Sequence, residues 1–146
     1  MIDIQRILSE ISILPDNEAQ ISLQVSIDGQ NGTGKLTTLQ GRESDYDILA
    51  YDIPYTNSVI TDLGMYRSRV MRMKPKTCYS YHRDATQRVH IPLVTNDKCF
   101  FVIDDEIKRC PADGSHYLID TRKLHTFVNA SREERIHIIG CVDANT

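Results

Sequence analysis

Long apolar runs are missing from this sequence, and so are blocks of positive charge. No uninterrupted apolar stretch approaches the ~20 residues that a membrane-spanning helix needs, so an α-helical membrane protein is not expected. The amino terminus, MIDIQRILSE, carries acidic residues where a secretory leader has basic and then purely apolar ones, and a cytoplasmic protein is expected. The formal net charge is −3 and the basic residues are scattered, which speaks against a chain that lives on nucleic acid. Paired cysteines are missing too. Cys78, Cys99, Cys110 and Cys141 stand apart with no CxxC spacing, and they read as small buried hydrophobes in a reducing compartment, not as zinc ligands or disulfides. No internal repeat or linker divides the chain.

What is present suits one globular domain with a sizeable core: 146 residues, 40% hydrophobic and 25% charged. Residues 3–14, DIQRILSEISIL, place Ile4, Ile7, Leu8, Ile11 and Leu14 at helical spacing, and Pro15 stops the helix. Residues 20–27, QISLQVSI, alternate apolar and polar side chains as a half-buried strand does. A breaker-rich stretch from Asp28 to Gly41 follows, then the weakly helical ESDYDILAYD. From about residue 66 onward, short strand-like runs succeed one another: RSRVMRM, TCYSYH, RVHIPLVT, CFFVID, EIKR, HYLID, HTFVNA and RIHIIGCV. Asn96-Asp97, Asp104-Asp105, Asp113-Gly114 and the segment from Asn129 to Arg132 supply turns. The chain therefore reads as a helical and extended support over residues 1–65 carrying a β-barrel or sandwich over residues 66–143.

Gly29 to Lys35, GQNGTGK, fits the first seven positions of a phosphate-binding loop after a strand. The eighth position, which should be Ser or Thr, is Leu36, and the following LTTLQGRES does not open a helix. The segment reads instead as a flexible Gly/Asn loop.

The chemistry concentrates elsewhere. His82 and Asp84 sit two apart in SYHRD, so in an extended chain both side chains point to one face. His125, in the later strand KLHTFVNA, closes the set from a neighbouring strand. Two histidines and one carboxylate fill one face of an octahedron and leave open positions, as an iron(II) oxygenase requires for a keto acid and O₂. An HxD pair alone arises by chance in many sequences; its surroundings give it force. Arg135 follows His125 by ten residues and shares a face with His137 on an apolar strand. An inward Arg implies an anion, and its planar fork suits the far carboxylate of a keto diacid. Arg88 and His90 share one face of RVHIPLVTN, opposite Val89 and Ile91, and suit a second anchoring point for the keto acid. Tyr79, Tyr81 and Arg69 are weaker candidates to face a substrate, and His116 and His137 are left as core or surface residues, His137 with a place in the barrel lining.

The strings YHRDATQRVHIPLVTN and LIDTRKLHTFVNASREERIHIIGCVD, with RSRVMRMKP ahead of them, resemble the aspartyl/asparaginyl β-hydroxylase-like family of 2-oxoglutarate dioxygenases, which includes bacterial free-proline hydroxylases. The resemblance covers about residues 66–143 and rests on HxD, RxHIPL, His followed by VN, and the RIH strand, in that order. It implies a mainly β, double-stranded β-helix fold (a cupin-like jelly roll). It implies Fe(II) held by His82, Asp84 and His125, the distal carboxylate of 2-oxoglutarate on Arg135, and Arg88 and His90 at the keto-acid end. The implied reaction consumes O₂ and 2-oxoglutarate and hydroxylates a C–H bond, with a small molecule or peptide as substrate. Some animal members lack the carboxylate ligand; Asp84 makes this sequence more like the bacterial proline hydroxylases. It is expected to be shorter than those enzymes and to lack their carboxy-terminal substrate-binding extension, which leaves the substrate open. Other readings are a non-catalytic cupin-type metal-binding or sensor protein, a nucleic-acid demethylase of AlkB type, and a zinc isomerase using His82, His90 and His125. The demethylase reading wants a second Arg where Cys141 stands.

Overall fold

The structure, a computed structural model, describes residues 1–15 and 18–142. Helix α1, Ile4–Ile11, begins where the Asp3 side chain accepts the Arg6 N–H, and it buries Ile7 and Ile11 on one face. It ends a turn earlier than the apolar spacing predicts. The Ser12 hydroxyl turns back onto the Ser9 carbonyl (2.6 Å), Ile13 swings out to 74% exposure, and Leu14 folds back into the core.

The expected strand over 20–27 is two strands in two sheets, β1 (Gln20–Ser22) and β2 (Gln24–Val25), the latter paired with β3 (Ile48–Leu49). The break falls at Leu23, whose N–H goes to the Ser68 carbonyl and whose carbonyl takes the Ala50 N–H. Polar Ser22 and Gln24 are buried because their side chains are used internally. Gln24 donates to the Met65 carbonyl (2.9 Å) and accepts from the Ser68 N–H (3.0 Å), while Ile27 lies in solvent. Within ESDYDILAYD only Glu43–Asp45 coils, as a single 3₁₀ turn. Helix α2, Pro54–Asp62, was not anticipated. Pro54 starts it, Thr56, Val59 and Ile60 face inward, and the Glu10 carboxylate on α1 accepts the N–H groups of Tyr55 and Thr56 at 2.9 and 2.7 Å.

Eight further strands follow in the runs read from the sequence: β4 (Tyr66–Met73), β5 (Thr77–Cys78), β6 (Arg88–Val94), β7 (Cys99–Ile103), β8 (Glu106–Lys108), β9 (Tyr117–Ile119), β10 (His125–Asn129) and β11 (Arg135–Cys141). Pairing is nested. β4 meets β11, β5 meets β10, β6 meets β9 and β7 meets β8, all antiparallel. Successive pairs fall alternately into a five-stranded sheet, β1-β4-β11-β6-β9, and a four-stranded sheet, β5-β10-β7-β8. A long hairpin wound on itself in this way is the double-stranded β-helix, or jelly roll.

Both faces of the larger sheet are buried. Val70, Val89, Ile91 and Ile138 point outward under α1 and α2, against Ile7, Ile11 and Ile60; withdrawing each such side chain from water contributes about 2 kcal/mol. The alternate positions, among them Arg67, Arg69, Arg88, His90, Arg135 and His137, point into the roll, where Phe101, Phe127 and Met73 form a smaller apolar cluster. Among the described residues no helix is long and apolar enough to cross a membrane. All four cysteines are free; Cys99, Cys110 and Cys141 are buried as expected, whereas Cys78 is exposed.

Candidate metal centre

His82 lies just past β5, where the chain makes one more bridge to β10. Its N–H and carbonyl exchange hydrogen bonds with those of His125, both 3.0 Å, so the two histidines are direct cross-strand partners with ring centroids 4.4 Å apart. Two residues on, the Asp84 N–H is fixed on the Thr121 carbonyl (2.8 Å), which turns its carboxylate back toward the pair. His82 Nε2 lies 3.7 Å from Asp84 Oδ1, and His125 Nε2 lies 3.6 Å from Oδ2. These gaps are too long for hydrogen bonds. All three donor atoms lie within 4.8 Å of one another, close enough for one ion with bonds of about 2 Å to touch each.

The tautomers suit a metal. Nδ1 of His82 is 2.8 Å from the Ser80 carbonyl and Nδ1 of His125 is 2.7 Å from that of Lys123. Each carbonyl can only accept, so the neutral form of each ring carries its proton on Nδ1 and turns the Nε2 lone pair toward Asp84. Burial lowers the pKa of His125, against the opposing pull of the Lys123 carbonyl and Asp84, which keeps the ring neutral and able to ligate.

These groups form one wall of a cavity of about 700 Å³. Arg135 lies in the same cavity, 1% exposed, with its guanidinium over the Phe127 ring at 4.6 Å. Its Nε and Nη2 have no hydrogen-bond partner among the described residues. Burial lowers its pKa, opposed only by neighbours such as Tyr79 and Cys99. Nε and Nη2 form one edge of the fork, the edge that grips a carboxylate in two parallel bonds. The donor set and this unpaired edge fit an octahedral metal with a diacid beside it.

Arg88 and His90, read from the sequence as a second anchoring point, also line the cavity, and both already have partners within the protein. Arg88 is engaged by Glu43 (Nη2 to Oε2 2.9 Å, Nη1 to Oε1 3.1 Å) and lies 3.7 Å from Asp84. Burial works against its charge, but Cys141, Asp84 and Glu43 outweigh this and raise its pKa. His90 shares a 3.0 Å Nδ1–Nδ1 hydrogen bond with His137, and burial, with Arg135 and other charges nearby, holds both pKa values well below the ordinary range. The three-residue metal cluster contains Asp84 and not His90, unlike the zinc isomerase reading. Tyr79 lines the cavity, Tyr81 is 58% exposed, and His116 is on the surface.

Sequence reasoning missed Glu43, Arg67 and the role of the glycine-rich loop. Glu43, 3% exposed, accepts from Arg67 Nη1 (2.6 Å), from Arg88 and from the Cys141 thiol (3.2 Å). Arg67, with φ of +51°, also holds the Gly32 and Gly34 carbonyls (2.8 and 3.0 Å), so the segment read as a flexible loop is clamped over the cavity. Two glycines permit this: a Cβ on Gly32 would come within 3.0 Å of Arg67, and Gly34 has φ of +89°. Arg67 and Arg69 were detectable by the strand-period argument that places Arg135 inward. Glu43 had no such signal.

A nested eight-strand roll with two imidazoles and a carboxylate converging inside it defines a cupin-like β protein with a candidate mononuclear metal site. The family model for aspartyl/asparaginyl β-hydroxylase matches residues 2–144, well beyond the barrel segment, and the chain belongs to that family. No curated protein matches it significantly. Among solved structures, it is similar to a cupin 2 conserved barrel domain protein from Salinispora arenicola CNS-205 (17% identity, 53% of this chain and 62% of that one, TM-score 0.44). Another is the plu4264 protein from Photorhabdus luminescens (18% identity, 52% and 61%, TM-score 0.43). A third is a cupin domain from Bordetella pertussis Tohama I (18% identity, 53% and 81%, TM-score 0.46). The match thus spans less than two thirds of the first two of these chains.

Proposed function

We propose that this protein is an Fe(II)- and 2-oxoglutarate-dependent dioxygenase that hydroxylates a C–H bond of an amino acid or a peptide side chain. The observation that carries this reading is the buried, unpaired edge of Arg135 in the same cavity as the His82, Asp84 and His125 cluster. A metal-storing barrel needs the cluster but has no use for a desolvated guanidinium beside it.

In this reading His82, Asp84 and His125 hold the iron, and Arg135 binds the distal carboxylate of 2-oxoglutarate. Bound iron(II) supplies O₂ activation coupled to oxidative decarboxylation of the keto acid to succinate and CO₂. The protein's own contribution is orientation. The Ser80 and Lys123 carbonyls hold the ring proton of each histidine on Nδ1, which turns Nε2 toward the metal position, and Arg88, held by Glu43, aligns Asp84. His90 stays neutral against His137 and offers a ring nitrogen at the keto-acid end. Phe101, against His90, and Phe127, under Arg135, give the two ends of the cavity apolar walls.

Anaerobic titration with Fe(II) and 2-oxoglutarate, read by visible charge-transfer absorption, followed by succinate release in air, tests the proposal. Metal-dependent 2-oxoglutarate binding is expected, weakened at least about 100-fold in Arg135→Ala, the size of a buried ion pair left half made. Metal binding without any affinity for the keto acid would leave a non-catalytic barrel.

A further inference from the structure

We propose that the cavity holds a second anion subsite, built by Arg69 on β4, and that the molecule to be hydroxylated brings a carboxylate to it. This deepens the dioxygenase reading and rests on it. Arg69 is 5% exposed and lines the same cavity as the metal cluster. Its Nε has no hydrogen-bond partner among the described residues, and its Nη1 meets only a neutral group, Gln20 Oε1, at 3.2 Å. Burial and the charges of Arg67 and Arg88 pull its pKa down to about 9, so the guanidinium is held against its own electrostatics.

The charge balance of the cavity points the same way. Four buried arginines, Arg67, Arg69, Arg88 and Arg135, face it. Glu43 is shared between Arg67 and Arg88, and Asp84 belongs to the metal cluster. A divalent ion and a keto-acid dianion cancel one another, so filling the cosubstrate site leaves the positive surplus in place. The two guanidiniums without a carboxylate partner stand on separate strands: Arg69 pairs with Ile139 of β11, whereas Arg135 lies four residues along that strand opposite Met73, a backbone separation of roughly 13 Å at ~3.3 Å per residue. An arginine edge grips a carboxylate in two parallel charge-assisted hydrogen bonds.

The subsite is also joined to the cover. Gln20 Oε1 accepts from Arg69 and, at 3.0 Å, from the Gly34 N–H, so one oxygen ties the arginine to the segment that carries Lys35, Leu36 and Thr37 over the cavity. An acid docking on Arg69 competes for that contact and is felt by the cover.

Calorimetric titration of the full chain, loaded with Mn(II) and saturated with 2-oxoglutarate without oxygen, tests this with paired probes. Each pair is an N-acetyl amino acid and its amide, the glycine, proline and leucine compounds serving as the panel. At least one acid is expected to bind about tenfold tighter than its amide, the size of one charge-assisted hydrogen bond. Arg69→Gln should abolish that ratio while leaving 2-oxoglutarate affinity within about threefold, and Arg69→Lys should retain part of it. Without ligand, Arg69→Gln should melt no lower than the parent, because it removes a buried charge that lacks a counter-ion among the described residues. Equal binding of every acid and amide would overturn the proposal, as would a loss of 2-oxoglutarate affinity in Arg69→Gln as large as in Arg135→Ala. If 2-oxoglutarate does not bind at all, the dioxygenase reading fails. The acid-to-amide ratio on the Mn(II) protein alone then still decides the Arg69 subsite.

Discussion

At the scale of single residues, the cluster's chemistry is set by atoms outside it. A histidine ligates through a lone pair, and the Ser80 and Lys123 carbonyls decide which nitrogen has one. His125→Ala, buried and cross-paired with His82, should abolish both iron binding and 2-oxoglutarate decarboxylation, and His82→Ala should do the same. Asp84→Ala should weaken iron binding and decarboxylation severely, by more than the roughly 10- to 100-fold that loss of an outer-sphere partner costs. Equilibrium dialysis with Fe(II), paired with succinate release, measures both; full decarboxylation in either His variant would refute the ligand assignment. His82 and Asp84 were legible as a pair because an extended chain repeats every two residues, which put them on one face, and His125 was read as closing the set from a neighbouring strand. The same rule placed Arg135 and His137 inward. It was silent on Glu43, which sits in a 3₁₀ turn inside a polar segment and meets Arg67 and Arg88 only in the folded chain. For that reason Arg88 read only as an anchoring point for the keto acid, with no sign of the Glu43 carboxylate that holds it.

Elements were legible where one physical rule acted alone. The eight strands from β4 to β11 alternate in side-chain direction and are separated by Asn, Asp and Gly turns, so their order came directly from pattern. The amino-terminal part obeys several rules at once. β1 and β2 share one alternating run, yet Leu23 gives its backbone to Ser68 and Ala50, which splits the run between two sheets. Helix α2 is hidden by Thr, Val and Ile, which are weak helix formers, and much of its start is held from outside by Glu10. That carboxylate accepts two backbone N–H groups and the Thr56 hydroxyl, and these bonds and Arg6 lower its pKa against the opposing effect of burial. Glu10→Ala should therefore cost about 1–2 kcal/mol, the value of a helix cap, and loosen α2 first. Urea unfolding gives the magnitude, and hydrogen exchange should show faster opening at Thr56 and Asn57; unchanged exchange there would exclude the capping role.

Across the whole molecule, Glu43 is a buried charged tie between the amino-terminal segment and the roll, beside the pairing of β1 with β4. It sits between Arg67 on β4, Arg88 on β6 and Cys141 on β11, and it accepts the Thr86 hydroxyl at 3.0 Å. Burial alone would raise its pKa; the charge of Arg88 and hydrogen bonds from Arg67, Cys141 and Arg88 outweigh this and hold it at about 2, below the ordinary 4.5. A carboxyl whose pKa falls on folding stabilises the folded state above its unfolded pKa and stops doing so as it takes up a proton. The contribution is therefore complete above about pH 5 and drains away as pH falls from about 4.5 toward 2, on the order of 3 kcal/mol in all. Glu43→Gln should be less stable at neutral pH, because Arg67 and Arg88 lose their shared counter-ion in a buried place. The same variant should lose most of the parent's decline in stability over the acid range. Urea midpoints measured from pH 7 to pH 3 for both proteins decide it. Parallel curves would mean that other carboxylates carry the acid sensitivity and that Glu43 does not join the two parts.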